Sequence, residues 1–438
     1  MELYRKELRD GIHYNHIKTD RFKDGYLSVN FIMPLTRETA AYNALLPNVL
    51  HRGCRMYPTQ AEIGRRLEEL YGSDLAVRNM KRGESQIITF VTNMLDDTYR
   101  LPGDDTDIFD GVLGVLCNLL FDPLVDENGF FRPDYVETER LGRIDAIRAA
   151  VNNKRRFAIK RCTELMCEGE VFGLSTEGCL EDYEHIDAAR LRDAYRRLIE
   201  EAQIEVFYIG KRDTTEVEPH LADILTKVPR AAHPVAPTTE VIRRAKTVRE
   251  FEESAAAVQG NLVMGFRTGT VISDENYLAH PIFNEIFGGS ASSKLFMNVR
   301  EKKSLCYFCS SFGDMAKGVM YVSAGIENKN RDEAVEEILL QLEKMAHGEI
   351  AEDELFCAKQ SVFNAYRTVD DLPGSIETWY LGRILAGKSL VWTDEVVRQM
   401  EKVTVADIAD IAKLSTLDCI YFLRGTSAQG EEDGSDEE

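Results

Sequence analysis

The sequence predicts an α+β protein made of two homologous halves, each an antiparallel or mixed sheet packed with helices. One observation is a repeat, since AYNALLPNVL at 41–50 corresponds to NYLAHPIFNEIF at 276–287, and each follows a predicted strand. A second is that both halves end alike, with a helix and then a strand at 184–210 and again at 401–425. A third is that the predicted strands are short and alternating, which is typical of antiparallel pairing. Matching beginnings and endings together indicate a duplicated unit.

The predicted domain boundaries follow from a change in composition. We expect a first domain at 1–227 and a second at 251–425. The segment 228–250 is a predicted linker, because VPRAAHPVAPTT at its start contains three prolines and no periodic apolar pattern. Six of the last eight residues are acidic, so 426–438 is predicted to be a disordered tail.

The elements of the first half are predicted from apolar spacing and stop signals. In its second helix, Ile63, Leu67 and Leu70 recur at helical spacing, and Tyr71-Gly72-Ser73 ends the pattern. The predicted strands are 26–35, 74–80, 85–94 and 204–210, and the predicted helices are 36–50, 59–70, 107–120, 134–167 and 188–200.

The second half is predicted in the same way. Its strands are 261–267, 305–310, 318–326 and 418–424, and its helices are 275–287, 294–302, 330–346, 352–366, 374–385 and 404–413. Asn330 and Glu333 are expected to form a capping box at the start of the third of these helices.

Charge, hydropathy and cysteine usage argue against several classes of function. A net charge of −21 opposes nucleic-acid binding, which needs a basic face. No apolar run approaches the ~20 residues of a membrane helix, and the first residues, MELYRKELRDG, lack the apolar segment of a signal peptide. The nine cysteines form no disulfide framework, and we interpret Cys306 and Cys309 as reduced packing residues. We therefore expect a cytoplasmic protein with no nucleic-acid or membrane partner.

The stretch from Phe287 to Ser310, FGGSASSKLFMNVREKKSLCYFCS, is the candidate functional segment. Gly288 and Gly289 form a loop that a ligand can approach closely, and Ser290, like Ser292 and Ser293, can cap the next helix. Arg300 ends that helix, and Leu305, Tyr307 and Cys309 are expected to share one face of the following strand. The guanidinium of Arg300 and the phenol of Tyr307 can each donate to a carbonyl oxygen. Spacing alone favours an ordinary surface arginine and a half-buried strand tyrosine.

Three segments make the chain resemble the insulinase/pitrilysin family of zinc peptidases, peptidase family M16, in its short two-domain bacterial form. They are VETERLGRIDAIRAAVNNKRRFA at 136–158, IFGGSASSKLFMNVREKKSLCYFCSS at 286–311, and HIDAARLRDAYRRLI at 185–199. The resemblance runs from about Leu27 to Gly425 and implies the family's LuxS/metallohydrolase-like fold in both halves. It also implies a role for Arg300 and Tyr307, with the loop Gly288, Gly289 and Ser290, in binding the backbone and carbonyl of a peptide.

The family's zinc chemistry is missing from the matching positions of the first half. An H-x-x-E-H motif supplies two zinc ligands and a base, but the matching helix reads LLPNVL at 45–50, and His51 after it has no partner. The third ligand should stand seven residues after Glu139, where the chain has Ala146 beside Asp145. His13 and His16, three apart, lack a third ligand nearby. We therefore expect no metal and no cofactor in this chain, with zinc only in a partner subunit.

Three hypotheses about function remain. The first is an inactive subunit that pairs with a zinc-bearing sibling as a heterodimer and supplies Arg300 and Tyr307 for peptide processing; expressed alone, it is expected to be able to form a homodimer. The second is a scaffold or peptide-binding protein of the same fold, with no part in catalysis. The third, an enzyme with Cys54 as nucleophile near His51, lacks an orienting group in the sequence.

Overall fold

The computed structural model describes residues 2–231 and 237–426. The strands are β1 Tyr4–Arg9, β2 Ile12–Lys18, β3 Asp24–Pro34, β4 Ala76–Arg82, β5 Ser85–Leu95, β6 Gln203–Gly210, β7 Arg249–Ala255, β8 Gly260–Arg267, β9 Cys306–Asp314, β10 Val319–Ile326 and β11 Thr416–Gly425. The helices are α1 Ala40–His51, α2 Gln60–Glu69, α3 Ile108–Phe121, α4 Pro133–Ala149, α5 Lys154–Met166, α6 Leu180–Glu184, α7 Ala188–Glu200, α8 Thr214–Leu225, α9 Ala279–Asn284, α10 Arg331–Ala346, α11 Glu352–Arg367, α12 Pro373–Leu385, α13 Thr393–Met400 and α14 Val405–Leu414. No helix in these ranges is long and apolar enough to cross a membrane.

Two sheets with the same connectivity confirm the predicted α+β fold. The strand order of the first is β1-β2-β6-β3-β5-β4, and that of the second is β7-β11-β8-β10-β9. Both are mixed, because β6 runs parallel to β2 and β11 runs parallel to β7, while the other neighbours are antiparallel. Apart from the extra edge strand β1, each strand of one sheet has a counterpart in the other. The two halves are therefore repeats of one topology.

A backbone feature recurs at corresponding turns of the two repeats. Tyr71 follows α2 with φ of 59°, and Ser304 follows the helix Leu295–Lys302 with φ of 52°. They are the non-glycine residues with positive φ in the described parts of the chain. Both turns lead into an edge strand, β4 or β9. A left-handed residue after a helix is a common way to end it, so this turn is a shared feature of the duplicated unit.

The chain divides into two compact units whose ranges differ from the predicted domains. Among the described residues, unit 1 comprises 2–148, 174–231, 237–239 and 369–392, and unit 2 comprises 149–173, 240–368 and 393–426. Thus 149–173 lies with unit 2 although it falls within 1–227, and 369–392 lies with unit 1 although it falls within 251–425. Residues 237–248 of the predicted linker contain no helix or strand, and β7 begins at its end. The predicted tail after Thr426 lies outside the described residues.

Each of the two exchanged segments covers a face of the sheet in its own unit. Ala158, Cys162 and Met166, spaced four apart on α5, pack against strands β8, β10 and β11. Ile376 and Tyr380 of α12 pack against the first sheet in the same manner. The predicted long helix 134–167 is interrupted between α4 and α5, where the Asn153 side chain accepts from Arg156 N at 3.0 Å and caps α5. This interruption is the point at which the chain passes from unit 1 to unit 2.

Candidate functional site

The loop before the helix Leu295–Lys302 needs glycine because it lies against strand β9. A Cβ atom on Gly288 would be 2.7 Å from both the backbone nitrogen and the Oγ of Ser311 and 2.8 Å from a methyl of Leu295. The Ser311 hydroxyl in turn donates to Asn284 Oδ1 at 2.9 Å. Gly288 is therefore required for close packing between the loop and the strand.

The remaining loop residues differ in their roles. Gly289 is exposed, and Ser290 donates through its hydroxyl to the Glu285 carbonyl at 3.3 Å. Among the three serines that the sequence offers as caps, Ser293 accepts from Phe296 N at 3.3 Å. Ser290 instead ends the preceding helical segment, Glu285–Gly289.

Arg300 lies in the last turn of a helix with unusually wide turns. Both Glu285–Gly289 and Leu295–Lys302 are wound as π-helices, a rare form that is frequent at functional sites. The Arg300 guanidinium lies 4.6 Å from the centre of the Phe296 ring, and its Nε is 3.4 Å from Glu301 Oε1. Its side chain remains 41% exposed. The stacking orients a charged group that is still accessible to a ligand.

Tyr307 is an extra residue in strand β9. Gly325 and Ile326 are consecutive in β10, but they pair with Phe308 and Cys306, so Tyr307 has no partner residue and forms a β-bulge. Tyr307 is 49% exposed, and its hydroxyl has no hydrogen-bond partner among the described residues. The expectation that Leu305, Tyr307 and Cys309 share a face is wrong, because Leu305 and Cys309 are buried while the bulge turns Tyr307 outward. Such bulges commonly re-aim a side chain next to a binding site.

The turn between Arg300 and Tyr307 is fixed by several hydrogen bonds. Leu305 N donates to the Val299 carbonyl at 3.0 Å, and the Leu305 carbonyl accepts from Asn330 Nδ2 at 3.3 Å. The side chain of Asn330 makes no cap for α10, so the predicted capping box with Glu333 is wrong. Asn330 supports this turn instead.

The charge of Arg300 reaches the start of β9. A hydrogen bond with Cys309 and, to a smaller extent, the positive charge of Arg300 lower the pKa of Cys306. Cys306 directly precedes Tyr307 in the chain. The positive charge of Arg300 therefore acts on the residue that precedes the tyrosine. The sequence analysis predicted neither the bulge nor the stacking on Phe296. The stacking does have a sequence signal, because Phe296 stands four positions before Arg300 in the helix.

The positions that match the family's zinc motif do not fit a zinc ion. His51 is 3.4 Å from Gln60 Nε2, and burial lowers the pKa of its imidazole. Glu139 Oε1 accepts from Arg52 Nε at 2.5 Å, while Asp145 and Ala146 are exposed on α4. In residues 2–231 and 237–426, no three His, Cys, Asp or Glu side chains are grouped so that they could hold a metal ion. A catalytic zinc needs three such ligands, and these residues do not supply them.

The other candidates from the sequence have structural surroundings. His13 lies 3.3 Å from buried Glu205, and His16 Nδ1 is 2.5 Å from the Tyr14 hydroxyl. Cys54 is buried, its Sγ accepts from Tyr57 N at 3.3 Å, and burial raises the pKa of its thiol. A nucleophilic cysteine needs a lowered pKa, so these surroundings disfavour the Cys54 hypothesis.

Comparison with known sequences gives two matches that cover the candidate segment. The family model described as the peptidase M16 inactive domain matches residues 185–362, a span that includes Gly288, Arg300 and Tyr307. The chain is also 30% identical over 422 residues to a Bacillus subtilis (strain 168) protein named "Probable inactive metalloprotease YmfF". That similarity covers 96% of this chain and 97% of the relative.

Solved structures show the same fold over nearly the whole length. A conserved protein from Enterococcus faecalis V583 has a TM-score of 0.89 and 27% identity, with 98% of this chain and 100% of that chain covered. The peptidase M16 inactive domain from Pseudomonas fluorescens has a TM-score of 0.79, covers 98% and 100% of the two chains, and is 16% identical. The second likeness concerns the fold alone.

Proposed function

Because the chain belongs to the M16 peptidase family, we propose that it is the non-catalytic subunit of a two-chain zinc peptidase. In this proposal, Arg300 and Tyr307 bind a peptide that a zinc-bearing sibling of the same family cleaves. The loop Gly288, Gly289 and Ser290 forms the wall beside them. The nine free cysteines of the described residues support a reducing compartment, and we propose that the complex acts in the cytoplasm.

The observation that supports this role best is the bulge at Tyr307. A tyrosine that served only the core would be buried with its hydroxyl paired. Tyr307 is instead the extra residue of the bulge and is 49% exposed, with a hydroxyl that has no partner among the described residues. Arg300 is likewise held by stacking on Phe296 while much of its side chain stays exposed. Both groups are free to donate to a ligand.

Two such donors suit the chemistry of peptide hydrolysis. Attack by a zinc-bound hydroxide builds negative charge on the carbonyl oxygen of the scissile bond. A phenol and a guanidinium near that oxygen, or near the adjacent peptide group, stabilise the transition state more than the ground state. Removing one such donor typically lowers the rate about 10²–10³-fold.

The test is peptide cleavage by a zinc-bearing sibling mixed with this chain. We expect the chain alone to leave a fluorogenic peptide intact and the mixture to cleave it. Tyr307→Phe and Arg300→Ala should each lower turnover about 10²-fold or more, with the melting temperature and co-elution of the two chains nearly unchanged. Tyr4→Phe and Arg398→Ala are matched controls, since Tyr4 is 40% exposed and Arg398 lies on the surface of α13.

Different outcomes separate the hypotheses. Full cleavage activity with both variants would remove Arg300 and Tyr307 from the site. Failure of the mixture to gain any activity, combined with direct binding of the peptide by this chain, would favour the peptide-binding alternative. Failure of both binding and activity would favour a scaffold.

A further inference from the structure

One guanidinium in unit 1 joins three segments at the place where the family resemblance expects a metal. With the Asn48 carboxamide oriented so that its oxygen faces Arg143, the orientation that satisfies both groups, Arg143 of α4 donates through Nε to that oxygen at 2.9 Å and contacts it through Nη2. Its Nη2 also donates to the Ala44 carbonyl at 3.0 Å, and its Nη1 donates to Glu177 Oε2 at 2.6 Å. Arg143 therefore connects α1, α4 and the segment before α6.

Ala44 and Asn48 are the pair of α1 positions that this guanidinium contacts. They are four residues apart and so lie on one face of the helix, and Asn48 is the one half-buried residue in 41–50, where the others are buried. Two histidines of an H-x-x-E-H motif have this spacing, and its glutamate would then stand at Pro47. On α4, Ala146 lies one turn beyond Arg143. At the positions expected for the zinc ligands and the base, the chain thus has Ala44, Pro47 and Asn48 on α1 and Ala146 on α4.

Glu177 supplies a carboxylate to the guanidinium of Arg143, which is the cation of this site. Its Oε1 accepts from Asn79 Nδ2 at 2.9 Å while Oε2 accepts from Arg143. A bidentate or forked guanidinium suits this mixture of carboxylate, amide and carbonyl oxygens. The positive charge of the Arg143 guanidinium also repels any second cation within a few ångströms.

We propose that Arg143 is a built-in cation that replaces the family's metal in the first half, holding α1, α4 and the Glu177 segment together and excluding divalent ions. The inference does not depend on Arg300, Tyr307 or a partner subunit. It implies that loss of the zinc ligands was accompanied by a structural substitute, and that restoring the ligands alone leaves the site closed to metal.

The first experiment restores the ligands in the full chain. Ala44→His, Pro47→Glu, Asn48→His and Ala146→Glu are combined, once with Arg143 retained and once with Arg143→Met, and zinc per chain is measured after equilibrium dialysis. We expect close to one zinc per chain with Arg143→Met and at least tenfold weaker binding with Arg143 retained. Equal zinc binding in the two proteins would overturn the exclusion of metal.

The second experiment needs no multiple substitution and tests the structural role of Arg143 even if those chains do not fold. Arg143→Met in the otherwise unchanged chain should lower the melting temperature by about 3–9 °C, and Arg143→Lys by less, because it keeps the charge but loses the fork. Arg148→Met, on the exposed end of α4, is the control and should have little effect. An unchanged melting temperature for Arg143→Met would refute the structural role.

Discussion

Gly288 is the residue at which the candidate loop meets the strand that carries Tyr307. The space for a side chain there is taken by backbone and hydroxyl atoms of Ser311. At the next position, the atom nearest to a Cβ on Gly289 would be Glu285 Oε2 at 2.7 Å, which is the end of a flexible side chain. The two adjacent glycines therefore differ in what an added methyl group would displace.

This difference gives a matched pair of variants. Gly288→Ala should destabilise the protein by about 1–3 kcal/mol, because backbone must shift to accept the methyl. Gly289→Ala should cost less, since the Glu285 carboxylate can move. Urea unfolding of both variants measures the difference. Equal losses would show that the loop and β9 are not tightly packed.

A buried histidine links the stability of unit 2 to pH. His280 on α9 is buried, its Nε2 has no hydrogen-bond partner, and burial lowers its pKa to about 4. In the unfolded chain the ring binds a proton below about pH 6.5. Since the unfolded state takes up more protons between these values, stability is lost as the pH falls from about 6.5 to about 4, by roughly 3 kcal/mol.

Replacing this histidine should flatten the acid dependence. We expect His280→Leu to lose less stability than the unchanged chain between pH 7 and pH 4.5, measured as the urea midpoint. Part of the slope should remain, because burial also lowers the pKa of His16 to about 4. His347→Leu, at an exposed position, is the control. An identical slope for His280→Leu would contradict the assignment.

Tyr307 shows what the sequence could and could not predict about the site. The order of glycine loop, helix, arginine and tyrosine is visible in the residues and supports the family resemblance. The outward direction of Tyr307 is not visible, because a strict alternation of strand residues puts Tyr307 on the same face as buried Cys309. A bulge depends on pairing with β10, and the sequence of one strand does not specify its partner's register.

At the scale of elements, the exchanged segment 149–173 is held to its sheet by buried charges. Glu170 Oε1 accepts from Arg267 Nη2 at 2.5 Å, and Lys317 Nζ lies 2.7 Å from Glu170 Oε2. The side chains are 8%, 2% and 0% exposed for glutamate, arginine and lysine. Arg267 Nε also donates to Asp418 at 2.7 Å. These contacts join the end of the segment to strands β8 and β11 and to the turn before β10.

Breaking this cluster should be costly. Glu170→Gln keeps the shape of the side chain but leaves two buried cations with less negative charge, so we expect a loss of about 3–5 kcal/mol. Glu168→Gln is the control, because Glu168 is 78% exposed. Thermal unfolding of the two variants provides the comparison. A loss below about 1 kcal/mol for Glu170→Gln would mean that the cluster behaves like a surface ion pair.

Element prediction succeeded where the pattern is local. The helix-and-strand endings α7-β6 and α14-β11 follow the predicted repeat. The exchange of α5 and α12 was not predictable, because an apolar stripe shows that a helix covers a sheet without showing which sheet. The interruption at 150–153 was also not predictable, because a polar segment is compatible both with one continuous helix and with two helices separated by a cap.

At the scale of the whole chain, the duplication supplies two copies of one unit that carry different side chains at corresponding places. Both sheets keep one connectivity, yet the first half holds Arg143 at the place expected for metal, and the second half presents Arg300 and Tyr307. Two copies of one unit can diverge independently as long as each keeps its core. The sequence shows the missing zinc motif in the first copy and the Arg300 and Tyr307 pair in the second.

The exchange of segments also means that neither half of the chain contains the whole of one unit. A peptide break introduced at 238–239 would leave 149–173 on the first fragment and 369–392 on the second, so each fragment would carry a strip of the other's interior. We expect the nicked protein to elute as one species in native buffer and to fall apart only in urea. Two folded fragments that elute separately would show the opposite. If the fragments remain joined, a gene split at this point would still require both products in the same cell.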